Sequence, residues 1–373
     1  MPPAVIDVRK ADNPRDVVHI AVQALAEGQL VVFPTETVYG LAASALAPGA
    51  TERLHAVKGG DKPRPYTLAI KSSDEAADYV PNMSALAERL ARRCWPGPIT
   101  LVLDATDGDS LVARLPEESQ QAVAPDGTVG LRVPAHPLIH DVLQLLAGPL
   151  LLTSANRAGH PEGLSAEQIV ADLGDGAALV LDDGRCRYGQ ASTVVQVAGD
   201  AYKVLRQGVV SEQALERLAS RLIVFVCTGN TCRSPMAEWL FRQKLAKKLG
   251  CLPEAVEDRG VMVGSAGIAA MMGGRASPEA VEVMQRRELD LGQHRSQPLT
   301  PQVVRQADML LTMTRSHRDA ILTEWPDAAP RTRTLCHDEA DVSDPIGGTL
   351  EAYERCAQQI EKEIDRIVGE LEC

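Results

Sequence analysis

The sequence has few aromatic residues, only 3% of its 373 positions, so aliphatic side chains must fill its cores. It also has no run close to the roughly 20 apolar residues that a membrane-spanning helix needs. Its first residues lack the basic segment and the following apolar segment of a secretory signal. We therefore expect a cytoplasmic protein with no membrane partner.

An excess of positive charge is absent as well, because the formal net charge is −12 at pH 7. Such a surface disfavours non-specific binding to DNA or to anionic lipid. None of the eight cysteines forms a CxxC pair or clusters with histidines, so no metal site is expected. Most cysteines are expected to be buried apolar residues. Cys227 and Cys232 differ, because they lie in a turn that follows an apolar run.

The chain is long enough for two domains of roughly 100–200 residues each. Its hydrophobic content of 45% and charged content of 24% are ordinary for a globular protein. A short polar helix at residues 213–220 is predicted to link them. The expected domains are therefore residues 1–212 and 221–373.

Apolar runs alternate with Ala- and Glu-rich segments in the first domain, without a regular βαβ repeat, which predicts a mixed α/β fold. The predicted strands are residues 30–33, 67–70, 99–103, 150–153, 178–181 and 193–197. The predicted helices are residues 14–27, 83–93 and 165–173.

In the second domain, strands and helices alternate, which predicts a doubly wound parallel sheet. Residues 222–226 are all apolar, as in a strand buried on both faces. Apolar residues three and four apart in the last helix form one stripe for packing on the sheet. The other predicted strands are residues 261–263 and 308–313. The predicted helices are residues 235–249, 278–288, 316–324 and 350–371.

A cysteine, five residues and an arginine lie directly between a predicted strand and a predicted helix. Successive amides of such a loop form an anion nest, for which Gly229 is expected to give the backbone freedom. The helix N-terminus and the planar fork of Arg233 add positive charge. Cys227 is therefore predicted to be a nucleophilic thiolate. The predicted phosphate-binding residues are Thr228, Gly229, Asn230, Thr231, Cys232 and Ser234.

The reaction also needs a proton donor, for which Asp344 is the candidate because Pro345 fixes the chain direction behind it. Cys227 would attack phosphorus and form a phosphocysteine. Asp344 would protonate the leaving atom and then help water to hydrolyse the intermediate. Two roles stay open for Cys232, namely loop packing or a protective disulfide with Cys227.

The strings CTGNTCRSPMAE from residue 227, SAG at 265–267 and DPIGG at 344–348 resemble the low-molecular-weight protein-tyrosine phosphatase family. The resemblance covers residues 221–373. It implies roles for Cys227, Arg233 and Asp344 in catalysis, with Ser234 and Asn230 supporting the loop.

Threonine at position 231 resembles the protein-arginine phosphatase branch of this family, because tyrosine-directed members typically carry a bulky aliphatic residue at that position. Ile346, where an aromatic residue is common in those members, agrees with this interpretation. Phosphorylated proteins are the expected substrates, with phosphoarginine first and phosphotyrosine as the alternative. Arsenate reduction comes third, because Cys336 and Cys356 lack the close spacing of a disulfide relay.

The first domain has neither a GxxxxGK[ST] nor a GxGxxG phosphate loop. Polar turns lie at strand ends at residues 33–41 and 153–156, and another precedes a strand at 191–193. Lys58, Lys62 and Arg64 belong to a basic loop. These residues alone indicate an anion-binding cleft.

The strings FPTETVYGL, WPGPIT at 95–100, LRVPAHP at 131–137, TSAN and ASTVV together resemble the YrdC-like L-threonylcarbamoyl-AMP synthases. That resemblance implies condensation of L-threonine, bicarbonate and ATP, with magnesium accompanying the ATP. The product feeds modification of a tRNA adenosine, which implies tRNA-modification proteins as partners.

The resemblance also implies a set of site residues. Thr35 and Arg132 would contact threonine. The ATP- and threonine-binding set is Thr35, Tyr39, Lys58, Arg132, Thr153, Ser154, Asn156, Ser192 and Arg206. The family usually has Lys-x-Arg where this chain has Lys58-Gly59-Gly60, and Arg64 is the candidate replacement. The alternative is a nucleotide- or RNA-binding module without catalysis.

Overall fold

The computed structural model describes residues 2–60 and 64–371, which divide between Leu218 and Ala219 into two compact units. We call these the N-terminal unit and the C-terminal unit. The segment predicted as a linker is an ordered helix, Glu212–Ala219, and its Leu215 is fully buried. The division falls within residues 213–220, the segment predicted to link the two domains.

A 10-stranded mixed sheet forms the centre of the N-terminal unit, in the order β1-β8-β2-β3-β7-β4-β6-β5-β9-β10. The prediction of a mixed α/β fold is thereby confirmed. The strands are β1 (Ala4–Asp7), β2 (Val31–Phe33), β3 (Gly40–Ser44), β4 (Thr67–Ala69), β5 (Ile99–Asp104), β6 (Thr128–Arg132), β7 (Leu150–Ser154), β8 (Leu179–Asp182), β9 (Thr193–Ala198) and β10 (Ala201–Arg206).

Helices cover this sheet. They are α1 (Pro14–Ala26), α2 (Ala50–Lys58), α3 (Ala76–Tyr79), α4 (Ala85–Cys94), α5 (Glu117–Val123), α6 (Pro137–Leu145), α7 (Ala166–Leu173) and α8 (Glu212–Ala219). Helix α1 begins where the Asn13 side chain accepts a hydrogen bond from the Arg15 amide, and Pro14 fills the first position without wasting a donor. Its buried Val17 and Leu25 share one core with Ile139 of α6.

The strand register brings two polar turns together. Strand β3 is antiparallel to both β2 and β7, so that Gly40 lies opposite Phe33 on one side and Ser154 on the other. The end of β2, the start of β3 and the end of β7 therefore lie next to one another at the same end of these strands.

In the C-terminal unit, four parallel strands lie in the order β12-β11-β13-β14. This confirms the predicted doubly wound sheet. The strands are β11 (Arg221–Cys227), β12 (Val261–Gly267), β13 (Met309–Thr312) and β14 (Thr332–Thr334). The helices are α9 (Arg233–Leu249), α10 (Pro278–Gln285), α11 (Pro301–Gln306), α12 (Arg315–Glu324) and α13 (Leu350–Glu370).

The predicted apolar stripe of the last helix is buried, with Tyr353, Ile360 and Ile364 in one core together with Phe225 of β11 and Phe241 of α9. Because this core fixes β11 against α9, it also fixes the turn between them. Short 3-10 helices complete the chain at Val8–Lys10, Leu111–Arg114, Pro253–Ala255, Glu257–Arg259 and Pro326–Arg331.

Within the described ranges, no helix is long and apolar enough to cross a membrane. Those same residues contain no group of three or more His, Cys, Asp or Glu side chains placed to hold a metal ion.

Candidate active sites

The N-terminal unit contains a cavity of about 1090 Å³, which we call the N-terminal cavity. Every residue of the predicted ATP- and threonine-binding set lines it. These residues are Thr35, Tyr39, Lys58, Arg132, Thr153, Ser154, Asn156, Ser192 and Arg206. The structure thus brings together turns that are far apart in the sequence.

One wall of the cavity is built on an ion pair between Arg132 and Glu36, each with 8% of its side chain exposed. Nη2 of Arg132 donates to Glu36 Oε1 at 2.6 Å and to Thr37 Oγ1 at 2.9 Å, and Nε donates to the Gly97 carbonyl at 3.2 Å. The second oxygen of Glu36 accepts the Ala135 amide at 3.0 Å. The guanidinium is therefore held in one orientation beside the cavity.

Glu36 and Thr37 were not among the predicted site residues. The available signal was the FPTETVYGL string, in which a carboxylate stands between two threonines in a segment that is otherwise apolar. A buried carboxylate of this kind needs a cationic partner. The sequence does not say which arginine supplies it.

The turn that carries Thr35 is stiffened by its own hydrogen bonds. Thr35 Oγ1 donates to the Val38 carbonyl at 2.6 Å and lies 2.8 Å from Thr37 Oγ1. The Tyr39 hydroxyl is hydrogen-bonded to the Gly184 carbonyl at 2.7 Å, and burial raises the pKa of Tyr39. Tyr39 therefore contributes its ring to the cavity wall, while its hydroxyl holds a neighbouring loop.

Another part of the wall places the ammonium group of Lys58 against carbonyl oxygens of residues 154–156. Lys58 Nζ donates to the Ser154 carbonyl at 2.8 Å and to Asn156 Oδ1 at 3.1 Å. The Ser154 hydroxyl also donates to Asn156 Oδ1, at 2.6 Å. Burial lowers the pKa of Lys58 to about 8. The amine is thus positioned in the cavity and titrates close to neutral pH.

A third part of the wall pairs Arg206 with Ser192. Nη2 of Arg206 donates to the Ser192 carbonyl at 3.0 Å and to its hydroxyl at 3.1 Å. Burial lowers the pKa of Arg206; Glu162 opposes this shift, whereas the neighbouring Arg132 and Arg64 act in the same direction. Like charges close enough to repel each other form a site that suits a polyanion.

Gly60 stands where the family usually has the arginine of its Lys-x-Arg pattern, and the backbone conformation at this position favours glycine. Gly60 has φ +95, and a Cβ atom there would lie 3.1 Å from the Ala158 Cβ atom. An arginine at this position would therefore be strained. Arg64 lines the same cavity and supplies a cation there. Lys62, which the sequence also places in this basic loop, lies outside the described residues.

In the C-terminal unit, Cys227 ends β11 and the loop of residues 227–233, the cysteine loop, leads into α9. The Asn230 amide donates to Cys227 Sγ at 3.3 Å, and the Ser234 hydroxyl lies 3.0 Å from the same sulfur. The sulfur thus accepts a backbone amide and lies against a hydroxyl at the N-terminus of a helix. Hydrogen bonds of this kind stabilise a negative charge on the atom that accepts them.

Asn230 braces the cysteine loop with its side chain. Its Nδ2 donates to the hydroxyls of Ser234 and Ser265, both at 2.9 Å, and its Oδ1 accepts the Gln297 amide at 2.9 Å. Asn230 is also the left-handed residue of the loop, with φ 55, whereas Gly229 has no positive φ. The prediction that Gly229 supplies the special backbone conformation is therefore wrong, since asparagine tolerates this region.

Arg233 and Asp344 are joined directly. Nη2 of Arg233 donates to Asp344 Oδ2 at 2.6 Å, and Nη1 donates to the Val342 carbonyl at 3.3 Å. Only 6% of the Arg233 side chain is exposed, against 44% for Asp344. The carboxylate therefore lies at the mouth of the cysteine loop, above its cation.

Cys232 contacts residues outside the cysteine loop. Cys232 Sγ lies 3.3 Å from the Ser277 hydroxyl and 3.5 Å from that of Tyr353, whose pKa burial raises to about 12. These contacts favour packing over a disulfide for Cys232, which is a free thiol like Cys227. Thr231 is partly exposed beside them.

One further side chain reaches the cysteine loop without having been predicted. His317 of α12 is buried, and its Nε2 lies 2.9 Å from Thr228 Oγ1. Burial, with a further contribution from Arg233, lowers the pKa of His317 to about 4. The sequence offered only a histidine early in a predicted helix, and nothing tied that helix to Thr228.

Comparison with known proteins identifies both halves. The Sua5_yciO_yrdC family model, described as telomere recombination, matches residues 23–208. The model for the low molecular weight phosphotyrosine protein phosphatases matches residues 222–372. A putative threonylcarbamoyl-AMP synthase of Mycobacterium tuberculosis is 36% identical over 195 residues, which is 52% of this chain and 85% of that protein. The protein-arginine-phosphatase of Bacillus subtilis is 36% identical over 153 residues, 40% of this chain and 95% of that protein.

The chain belongs to both families, one in each half. It is an enzyme that joins a threonylcarbamoyl-AMP synthase domain of the Sua5/YrdC family to a low-molecular-weight protein phosphatase domain. Both resemblances inferred from the sequence motifs are confirmed. The solved structure of P. abyssi Sua5 complexed with L-threonine has the same fold, with a TM-score of 0.51 and 23% identity over 71% of this chain and 92% of that one.

Proposed function

We propose that the Sua5/YrdC half condenses L-threonine, bicarbonate and ATP into L-threonylcarbamoyl-AMP for tRNA threonylcarbamoyladenosine modification in the cytoplasm. The observation that carries this proposal is the N-terminal cavity, where Arg132 is locked by Glu36 while Lys58 and Arg206 lie on other parts of the wall. L-Threonine bound to the P. abyssi relative supports it. Proteins that transfer the threonylcarbamoyl group to tRNA are the expected partners.

The charges suggest how the substrates divide the cavity. The Nη1 group of Arg132 suits the carboxylate of threonine, because Nε and Nη2 already bind Gly97, Glu36 and Thr37. Lys58 and Arg206 suit the phosphates of ATP, with hydroxyl and amide groups of Thr153, Ser154, Asn156 and Ser192 around them. Magnesium enters bound to the ATP phosphates. The threonine amine combines with bicarbonate, releasing water, and the carbamate oxygen attacks the α-phosphorus, with pyrophosphate as the leaving group.

Pyrophosphate release by the full-length chain tests this half. With ATP and bicarbonate present, release should depend on added threonine. It should be lost in Arg132→Ala and retained in Cys227→Ser, which changes only the other half. Nucleotide binding without threonine-dependent pyrophosphate would instead indicate the non-catalytic module.

For the C-terminal half, the proposal is a phosphatase that acts on phosphoarginine in proteins. Cys227 attacks phosphorus, and the phosphorus–nitrogen bond to the arginine breaks as Asp344 gives the leaving nitrogen a proton. Water, deprotonated by Asp344, then attacks the phosphocysteine and releases phosphate. The loop amides and Arg233 bind the oxygens whose charge grows in the transition state.

The substrate assignment depends on the size of Thr231. Its small polar side chain leaves room for a flat guanidinium, and the B. subtilis relative is a protein-arginine-phosphatase. Ile346, 69% exposed, offers no aromatic ring at the mouth of the site. Phosphotyrosine is the second candidate, because the matching family is described by that substrate.

Peptides that carry phosphoarginine or phosphotyrosine at the same position distinguish the two candidates by their kcat/KM values. We expect phosphoarginine to be preferred, and Cys227→Ser to lose turnover while still binding inorganic phosphate. A Cys227→Ser protein that still turns over substrate would exclude the phosphocysteine route.

A further inference from the structure

Three side chains form a hydrogen-bonded chain that runs from the cysteine loop into α12. Thr228, the residue directly after Cys227, is hydrogen-bonded through Oγ1 to Nε2 of His317 at 2.9 Å. Nδ1 of His317 is hydrogen-bonded to Thr314 Oγ1 at 2.8 Å. Thr314 caps α12, because its Oγ1 also accepts the backbone amide of His317 at 3.2 Å. Both ring nitrogens therefore have a hydroxyl partner.

The imidazole between these hydroxyls is neutral at working pH. His317 is 4% exposed, and its pKa is lowered to about 4 by burial and by the charge of Arg233. A neutral imidazole has one N–H and one acceptor nitrogen. Two arrangements are thus available, and they differ in where the hydroxyl proton of Thr228 points.

In one arrangement, the Thr228 hydroxyl donates its proton to a hydrogen bond with Nε2 and cannot donate to another group. In the other, Nε2–H donates to Thr228 Oγ1, Nδ1 accepts from the Thr314 hydroxyl, and the Thr228 proton is free to point away from the ring. A phosphoryl group held by Arg233 is an anion, and a hydrogen bond from a hydroxyl to an anion is stronger than one between neutral groups. Anion binding therefore favours the second arrangement.

We propose that His317 is a positioning residue of the phosphatase half, which turns the Thr228 hydroxyl into an additional donor to the bound phosphoryl oxygens. This inference rests on the proposed phosphatase function. The second arrangement needs no net change of charge, since the imidazole gives up its Nδ1 proton to water and takes one from water on Nε2, while both hydroxyls keep their protons and rotate. Thr228 is exposed, whereas His317 is buried, so the hydroxyl is the part of the chain that a ligand reaches.

The test compares five forms of the full-length protein: wild type, Thr228→Val, Thr228→Ser, His317→Phe and the double variant Thr228→Val/His317→Phe. Thr228→Val keeps the shape of the side chain and removes only the hydroxyl. His317→Phe keeps a ring and removes both nitrogens. The measurements are the inhibition constants of inorganic phosphate and vanadate against p-nitrophenyl phosphate, and the rate at which iodoacetamide alkylates Cys227.

We expect Thr228→Val to raise the phosphate inhibition constant about tenfold, the loss of one hydrogen bond to a charged group. Thr228→Ser should restore affinity. His317→Phe alone should weaken phosphate binding. Added to Thr228→Val, it should have no further effect on phosphate binding. The alkylation rate should be unchanged in Thr228→Val, because a role in holding the loop would alter the environment of Cys227 and a role in donation would not.

The inference is overturned if Thr228→Val binds phosphate like the wild type, if Thr228→Ser is as weak as Thr228→Val, or if alkylation of Cys227 changes with the hydroxyl. It is also overturned if Thr228→Val and His317→Phe weaken phosphate binding additively in the double variant. A wild-type protein that neither binds phosphate nor hydrolyses p-nitrophenyl phosphate would instead contradict the proposed phosphatase function itself.

Discussion

Arg233 and Asp344, the proposed phosphate clamp and the proposed acid, are bonded to each other at 2.6 Å. One is buried and the other is nearly half exposed, so the carboxylate covers the guanidinium from the solvent side. Phosphate oxygens would compete with Asp344 for the same N–H donors. Substrate binding is therefore coupled to release of Asp344 toward the leaving group.

Replacing Asp344 by alanine should separate these two effects. The rate of hydrolysis should fall by about 10²–10⁴-fold for poor leaving groups, the usual contribution of general acid catalysis. Inorganic phosphate should bind more tightly, because Arg233 has lost its competitor. A series of aryl phosphates with leaving groups of different acidity measures the first effect, and competitive inhibition measures the second.

Asp341→Ala is the matched control, because Asp341 lies in the same segment but binds the Arg315 amide instead of Arg233. It should change neither quantity. If Asp344→Ala slowed good and poor leaving groups equally and left phosphate affinity unchanged, Asp344 would be neither the acid nor the competitor.

Thr231→Ile should move the preference of the phosphatase half from phosphoarginine toward phosphotyrosine. The larger side chain fills the space that a flat guanidinium would occupy, whereas a phenyl ring packs against aliphatic groups. The measurement is the ratio of kcat/KM values for the paired peptides. Thr231→Ser, which stays small and polar, should keep the wild-type ratio. A ratio that is the same in wild type and Thr231→Ile would show that Thr231 does not set specificity.

ATP affinity of the synthase half should fall as the pH rises through about 8. Lys58 is charged below its pKa of about 8, and bound phosphates would raise that pKa. Binding therefore takes up a proton above pH 8, and affinity is lost as the free enzyme loses the charge. Calorimetry in buffers with different ionisation enthalpies measures this proton uptake.

Lys58→Arg keeps its charge throughout this range and is the matched control. Its ATP affinity should be nearly independent of pH where the wild type loses affinity. If both proteins show the same pH dependence, the titrating group is not Lys58.

Glu36→Gln should destabilise the N-terminal unit by about 3–5 kcal/mol, because it leaves the buried charge of Arg132 without its partner. Urea unfolding followed by circular dichroism gives the change, and the phosphatase activity of the same chain reports on the C-terminal unit. Glu282→Gln is the control, since its partner Arg286 is as exposed as it is, at 55%. Equal unfolding midpoints for Glu36→Gln and wild type would mean that the ion pair adds nothing to stability.

The sequence predicted most buried elements, because burial leaves a pattern. The strand at residues 222–226 and the stripe with Tyr353 and Ile360 were evident from apolar runs and spacing. Strands β1, β3, β6, β10 and β14 were missed. Strand β14 has only three residues, and β10 is an edge strand in which most residues are exposed, so neither gives a clear hydrophobic signal.

Motifs predicted which residues meet in the N-terminal cavity, but they did not predict what holds those residues in place. The link from Arg132 to Glu36 crosses 96 positions of sequence, and that from Thr228 to His317 crosses 89. Such contacts depend on strand register and helix packing. The left-handed conformation of Asn230 was also missed, since the neighbouring glycine was the obvious candidate from residue type alone.

The described residues of each candidate active site all lie within one compact unit, the N-terminal unit for one site and the C-terminal unit for the other. A substitution in one unit should therefore inactivate the synthase or the phosphatase without changing the other site. Genetic complementation could therefore use Arg132→Ala and Cys227→Ser as separate alleles. A cell that expresses both alleles together would regain both activities only if the halves work without help from each other within one chain. The fusion would then serve to keep their synthesis at equal levels.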